Sequence, residues 1–139
     1  MEGLGRLFNV IPVGASVYVD MRLCAACTFI CYASGGDTFT LSEAQNAGGT
    51  GDTNLATVTR YYTSLGTGGA WVKQTQAAAA AVTISGTGPL DAAVFTVDSA
   101  ELSDGFTHIM VVPSASGTVV PILHDLYVQR APANLPALV

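Results

Sequence analysis

Cys27-Thr28-Phe29-Ile30-Cys31-Tyr32-Ala33-Ser34-Gly35-Gly36-Asp37-Thr38-Phe39-Thr40-Leu41-Ser42-Glu43-Ala44 reads as two strands and a turn. Cys27 to Ala33 is rich in β-branched and aromatic side chains, which sit well on a pleated surface. From Thr38 to Ala44, Phe39 and Leu41 alternate with Thr38, Thr40 and Ser42, the period of two that a half-buried strand shows. Ser34-Gly35-Gly36-Asp37 supplies residues that accept the backbone of a tight turn. The stretch predicts a β-hairpin and sets the frame for reading the rest of the chain.

Working outward, Val17, Val19, Met21 and Leu23 alternate with Tyr18, Asp20 and Arg22, again with period two. Upstream, Leu7 to Val13 reads as a strand closed by Gly14. Downstream, strands are expected over Ala56–Ser64, Ala70–Gln76, Ala92–Val97, Thr107–Val112, Thr118–Leu123 and Asp125–Arg130. Turns follow at Gly66–Gly69, Ser85–Pro89 and Pro113–Gly117. The five alanines at 77–81 favour helix by propensity, but so short a run does not nucleate one, and Val82-Thr83-Ile84 pulls toward strand. They read as a strand approach whose small side chains permit close packing. Asp98-Ser99-Ala100-Glu101-Leu102 fits one capped helical turn, with Glu101 three residues after Asp98.

Short strands broken by turns about every ten residues predict an all-β fold, a single β-sandwich or jelly-roll-like domain of roughly eight to ten strands. The domain is expected over residues 1–130, with 1–16 as an N-terminal strand or arm, and an extended C-terminal arm over 131–139. The candidate core is Val19, Met21, Phe29, Cys31, Phe39, Leu41, Val58, Trp71, Val94, Phe95, Val97, Leu102, Phe106, Ile109, Val111, Leu123, Leu126 and Val128. Val94 and Phe95 are consecutive and cannot face one side, so one of them belongs at an interface or on the opposite face.

Composition narrows function. Half of the 139 residues are hydrophobic and only 11% are charged, against about 25% in an ordinary globular chain. Much of the surface must then be small, hydroxylated or apolar, the kind that is buried in assemblies. The net charge is −5, and Arg6, Arg22, Arg60, Lys73 and Arg130 are scattered rather than clustered, which argues against direct nucleic-acid binding. Leu23–Ala33, the longest weakly polar stretch, is about half the length of a bilayer helix, so no membrane span is expected. The start, Met1 to Arg6, lacks the pattern of a secretory signal, so the chain is expected to be made in a cytoplasm.

Residues with chemical potential do not converge in the sequence. Cys24, Cys27 and Cys31 resemble half of a metal site, but there is no fourth cysteine, and His108 and His124 are distant. Strand alternation puts Cys24 opposite Cys27 and Cys31, so the three read as core. Gly48-Gly49-Thr50-Gly51-Asp52 lacks the Gly-Lys-Ser/Thr ending of a phosphate loop and reads as a flexible hairpin loop. His124 and Asp125 should point to opposite faces of a strand. Ser103-Asp104 near His108 lacks the surroundings of a nucleophile. Asp91, Asp98, Glu101 and Asp104 lack calcium-loop spacing and read as solvating, turn-capping carboxylates. No catalytic, cofactor or metal residue is assigned, and no cofactor or small-molecule substrate is expected.

Two stretches carry a family resemblance. Ala93-Val94-Phe95-Thr96-Val97-Asp98-Ser99-Ala100-Glu101-Leu102-Ser103-Asp104-Gly105-Phe106-Thr107-His108-Ile109 is similar to a segment of small tailed-bacteriophage virion proteins, head decoration or minor capsid proteins of β-sandwich type. In those, a strand ending in V-D/E leads to A-x-L, then D-G-F/Y, then a strand such as Y-V-R-V. The segments 27–32 and 38–44 resemble their earlier TF-x-x-Y and T-x-T-L-x-x-A strands. The likeness spans about two-thirds of the chain and rests on strand and turn grammar. It implies a non-enzymatic virion protein without cofactor, on the capsid surface, that decorates or cements the head. Its partners would be itself, as a homo-oligomer such as a trimer, and the major capsid protein. A tail or other virion component, or a free carbohydrate- or receptor-binding module using Tyr61, Tyr62 and Trp71, are the alternatives.

In the D-G-F element itself, Gly105 suits a turn, with Leu102 and Phe106 dropping into the core on either side. The chain departs from many of these relatives in its tail. Pro132 and Pro136 should hold the arm extended, and Leu135, Leu138 and Val139 would be anchors on a neighbouring subunit. A disordered terminus is the plainer reading of the same residues.

Overall fold

The computed structural model describes residues 3–5 and 7–135. Among them are eleven strands: β1 (Phe8–Val10), β2 (Val19–Asp20), β3 (Cys24–Ala33), β4 (Asp37–Ala44), β5 (Thr53–Asn54), β6 (Val58–Ser64), β7 (Val72–Ala79), β8 (Ala81–Ile84), β9 (Asp91–Asp98), β10 (His108–Pro113) and β11 (Thr118–Leu126). They form a β-sandwich. One sheet has six strands in the order β1-β11-β3-β9-β6-β7; the other has five, β2-β10-β4-β5, with β8 also paired to β4. Among the described residues the only helical elements are single 3-10 turns at Ser99–Glu101 and Pro132–Asn134. In the first, the Asp98 N–H donates to the Glu101 carboxylate at 2.8 Å, as the capping spacing predicts.

The expected hairpin at 34–37 does not form. Both strands are present, but β3 lies in the six-stranded sheet and β4 in the other, so the turn is a corner between sheets. The same holds for Pro113–Gly117, between β10 and β11. Strand periodicity reports which face of a strand is apolar and says nothing of its partner. Here Cys27, Phe29 and Cys31 face Phe39 and Leu41 across the sandwich instead of lying beside them, and all five are buried. The alanine run is a third such corner. β7 ends at Ala79, Ala80 accepts a hydrogen bond from the Leu41 N–H at 2.9 Å, and β8 begins at Ala81 in the opposite sheet.

Three carboxylates fix connections between the sheets, Asp37 the first two of these corners and Asp91 and Glu43 those before and after β9. Asp37 Oδ1 accepts from the Ser114 N–H (3.0 Å), Ser114 Oγ (2.7 Å) and the Ala115 N–H (3.0 Å), and Oδ2 from the Gly117 N–H (3.0 Å). Burial pushes this carboxyl up, but the donors from Ser114, Thr38, Ala115 and Gly117 outweigh it and leave the group below the ordinary carboxylate value. Asp91, fully buried, accepts from the Gly66 N–H (3.0 Å) and the Gly88 N–H (3.1 Å), tying the β6–β7 turn to the corner before β9. Glu43, also buried, accepts from the Ser103 N–H at 2.8 Å and from Ser103 Oγ at 2.5 Å. Turn capping is thus right for Asp91, but solvation is not.

The core holds twelve of the expected residues, among them Phe29, Phe39, Phe95, Leu41, Ile109 and Leu123. Phe29 and Phe95, register partners on β3 and β9, have ring centroids 5.5 Å apart. The rest need correction. Trp71 and Val128 are exposed, and Val94, Leu102, Phe106 and Leu126 are only half-buried. Trp71 precedes β7 at the sheet edge, and Val128 follows the end of β11, so neither has a sheet opposite it. Asp125–Arg130 is not a separate strand: β11 runs through to Leu126, with Asp125 in a left-handed conformation (φ 54°). Gly105 takes the expected turn conformation (φ 81°), and the Phe106 N–H donates to the Ser103 carbonyl at 3.0 Å. The alternation expected over Val17–Leu23 also breaks down, because Tyr18 and Asp20 are buried while Val17 is exposed.

Candidate functional site

The outer face of the six-stranded sheet is the most unusual surface of the molecule. Directly opposed residues of antiparallel strands share a face, so the register fixes its composition. One row runs Val10, Ile122, Thr28, Thr96; the next runs Val120, Ile30, Val94, Tyr62. Phe8 and Tyr32 lie at its margins, each about one-third exposed. None of these side chains is charged; the second row meets a charge only past Tyr62, at Lys73 on the edge strand β7. Sequence reading reached Val94 here but missed Ile30, Val120 and Ile122. The signal was present as consecutive apolar pairs, Phe29-Ile30, Val119-Val120 and Ile122-Leu123, since a strand apolar at both parities is apolar on both faces.

One polar chain crosses this face. His124 Nδ1 lies 2.9 Å from Asp125 Oδ2, and His124 Nε2 lies 2.9 Å from Thr28 Oγ1, which is 2.8 Å from Thr96 Oγ1. The expectation that His124 and Asp125 point apart is overturned, and the left-handed backbone of Asp125 is the reason. A carboxylate only accepts, so Nδ1 carries the proton; in the neutral imidazole Nε2 then accepts from Thr28, and Thr28 accepts from Thr96. Carboxylate, imidazole and hydroxyl stand in the order of a hydrolytic triad. Acyl transfer also needs donors aimed at a developing oxyanion. Thr28 sits in mid-strand, paired with Ile122 on one side and Thr96 on the other, inside the ladder. What this hydrogen-bonded chain does in this geometry is tie β11, β3 and β9 together, diagonally from His124 to Thr28 and directly from Thr28 to Thr96.

The other expected features fall elsewhere. Ser103 is held by Glu43, whereas His108 is buried and pairs through Nδ1 with Thr107 Oγ1 at 2.8 Å, so the two are not brought together. Cys24, Cys27 and Cys31 are free and buried. Burial pushes the Cys24 thiol up to about 12, and raises Cys27 and Cys31 further, which removes thiolate character. Among the described residues no three His, Cys, Asp or Glu side chains group as metal ligands. The glycine-rich loop is closed rather than loose. Asn46 Oδ1 accepts from the Gly48 and Thr50 N–H groups at 2.9 and 3.3 Å, and the buried Tyr18 hydroxyl donates to Asp52. Burial and that carboxylate raise the Tyr18 phenol.

Of the expected assembly residues, Pro132 and Leu135 are described, while Pro136, Leu138 and Val139 lie outside the described residues. The first part of the arm is not extended. Pro132 opens a 3-10 turn, where its missing N–H leaves no bond unmade. The segment also folds onto its own chain: the Arg130 N–H donates to the Gly5 carbonyl at 2.7 Å. Gly5 (φ 77°) admits this approach, since a Cβ there would stand 2.2 Å from the Arg130 oxygen. Leu135 is half-buried close to the same glycine.

No helix among the described residues is long and apolar enough to cross a membrane. Comparison with protein-family models, with curated proteins and with solved structures returned no match.

Proposed function

We propose that the chain is a non-enzymatic structural protein of a tailed-phage virion, decorating or cementing the capsid by binding itself and the major capsid protein. The observation that carries this reading is the apolar centre of the outer face of the six-stranded sheet, Ile30, Val94, Val120 and Ile122, with charge confined to its margins at Lys73, Asp98 and Asp125. A contiguous apolar patch of this kind marks a surface meant to be covered. A charged fraction of 11% fits the same reading, because little is left to solvate a free monomer. The virion assignment rests on the resemblance of 93–109 and of the two strands within 27–44. The corners held by Asp37, Asp91 and Glu43 suit a rigid building block, since each replaces a mobile loop by a fixed one.

The test is mass-spectrometric quantification of the protein in purified virions, with light scattering on the free chain. Stoichiometric copies in the particle and an oligomer in solution are expected. Absence from purified particles overturns the virion reading, and a strictly monomeric chain overturns the self-binding part of it.

A further inference from the structure

On the outer face of the six-stranded sheet, β6 and β9 are paired only from Tyr62 to Ser64, against Ala92 to Val94. Beyond Tyr62 the two strands part, and a cleft of about 740 Å³ opens between them. Its lining includes Thr57, Thr59, Thr75 and Thr96, with Tyr62, Arg60, Asp98 and Glu101. Thr57 Oγ1 is buried and has no hydrogen-bond partner. An unmet buried hydroxyl is costly, so such groups in native proteins have a reason to exist. Tyr62 is 41% exposed, leaving one ring face free. Trp71, 54% exposed, precedes β7 two positions before Lys73, the register partner of Tyr62.

We infer that this cleft binds a neutral saccharide. Ring hydroxyls both donate and accept, which matches a wall of threonines, and the C–H face of a pyranose matches an exposed aromatic ring. One guanidinium against two carboxylates gives the cleft no net attraction for phosphate, which excludes nucleic acid as the natural occupant. An added peptide strand would need the free backbone of β9, but the Asp98 N–H is already committed to Glu101. This site goes beyond the structural role; it shares Tyr62, Val94 and Thr96 with the face assigned to assembly, so it requires that side of the face, unlike Ile30, Val120 and Ile122, to stay uncovered.

The experiment is an amide NMR titration of the full-length chain with cellotetraose, maltotetraose and chitotetraose, paired with a printed array of bacterial surface glycans. The oligosaccharides report free sugars and the array reports cell-surface polymers. At least one probe should bind, shifting the amides of residues 57–62 and 94–98, with affinity reduced at least tenfold in Tyr62→Ala and in Arg60→Gln. Both side chains are exposed, and if Tyr62→Ala fails to fold, Arg60→Gln carries the same test. No binding by any probe, shifts confined to other residues, or binding unchanged in a folded variant overturns the inference. A failed titration with the protein still present in virions leaves the structural role standing.

Discussion

The two outer faces of the sandwich solve the same problem in opposite ways. On the five-stranded sheet, Thr38, Thr40 and Thr83 give β4 and β8 a hydroxylated surface beside Met110 and Val112 of β10, and Thr38 Oγ1 and Thr83 Oγ1 lie 3.1 Å apart. On the six-stranded sheet, the corresponding positions are valine, isoleucine and tyrosine. Both strategies use little charge, Asp20 on the first sheet and Lys73 on the edge of the second, but only the first is self-sufficient in water, since each threonine offers a hydroxyl to solvent over its methyl group. A chain with few charges can divide its surface in this way, one face for water and one for protein.

The comparison breaks most readily by placing a charge on each face. Ile30→Glu should weaken self-association more than a hundredfold, about 3 kcal/mol, because an unpaired carboxylate would have to be buried. Thr40→Glu, on the hydroxylated face, should change it less than tenfold. Sedimentation velocity of the two variants decides between them, and equal effects would erase the distinction.

The next test concerns what assigns each strand to its sheet. Asp37→Ala leaves several loop donors unmet and should cost about 2–3 kcal/mol in urea unfolding. The folded Asp37 carboxyl titrates below its unfolded value. Its contribution is therefore complete above about pH 4 and lost as pH falls through the lower folded value. Wild type should lose stability over that acid window, and Asp37→Ala should lose less. Parallel pH curves for the two proteins would contradict the corner role.

Phe106→Ala comes third. The residue is half-buried, so the expected loss is about 1–2 kcal/mol, measured by denaturation, against about 3–5 kcal/mol for a fully buried phenylalanine. A loss in the larger range would place Phe106 inside the sandwich. The smallest effect belongs to the hydroxylated face. Thr83→Val removes one exposed hydroxyl pair and should change the unfolding free energy by no more than about 0.5 kcal/mol.

These cases also mark how far the sequence could be read. Strand positions and inward residues such as Phe39, Leu41, Phe95 and Ile109 followed from period two, because burial acts on each strand separately. Sheet membership did not, because it depends on partners distant in sequence; Asp37 meets Ser114 and Gly117 some eighty residues away. The His124–Asp125 contact was hidden by one left-handed residue, which no alternation rule anticipates. Of the candidate face, the adjacent apolar pairs were legible, whereas the cleft beside Tyr62 depends on where β6 and β9 stop pairing.

The most direct test of the central claim is hydroxyl-radical footprinting of the assembled protein against dissociated chain. Phe8 and Tyr32, on the six-stranded sheet, should lose reactivity on assembly, while Met110, which lies opposite Ser42 on the outer side of the five-stranded sheet, should keep it. Protection of Met110 with Phe8 and Tyr32 unchanged would contradict the claim that the apolar face is the one this protein covers.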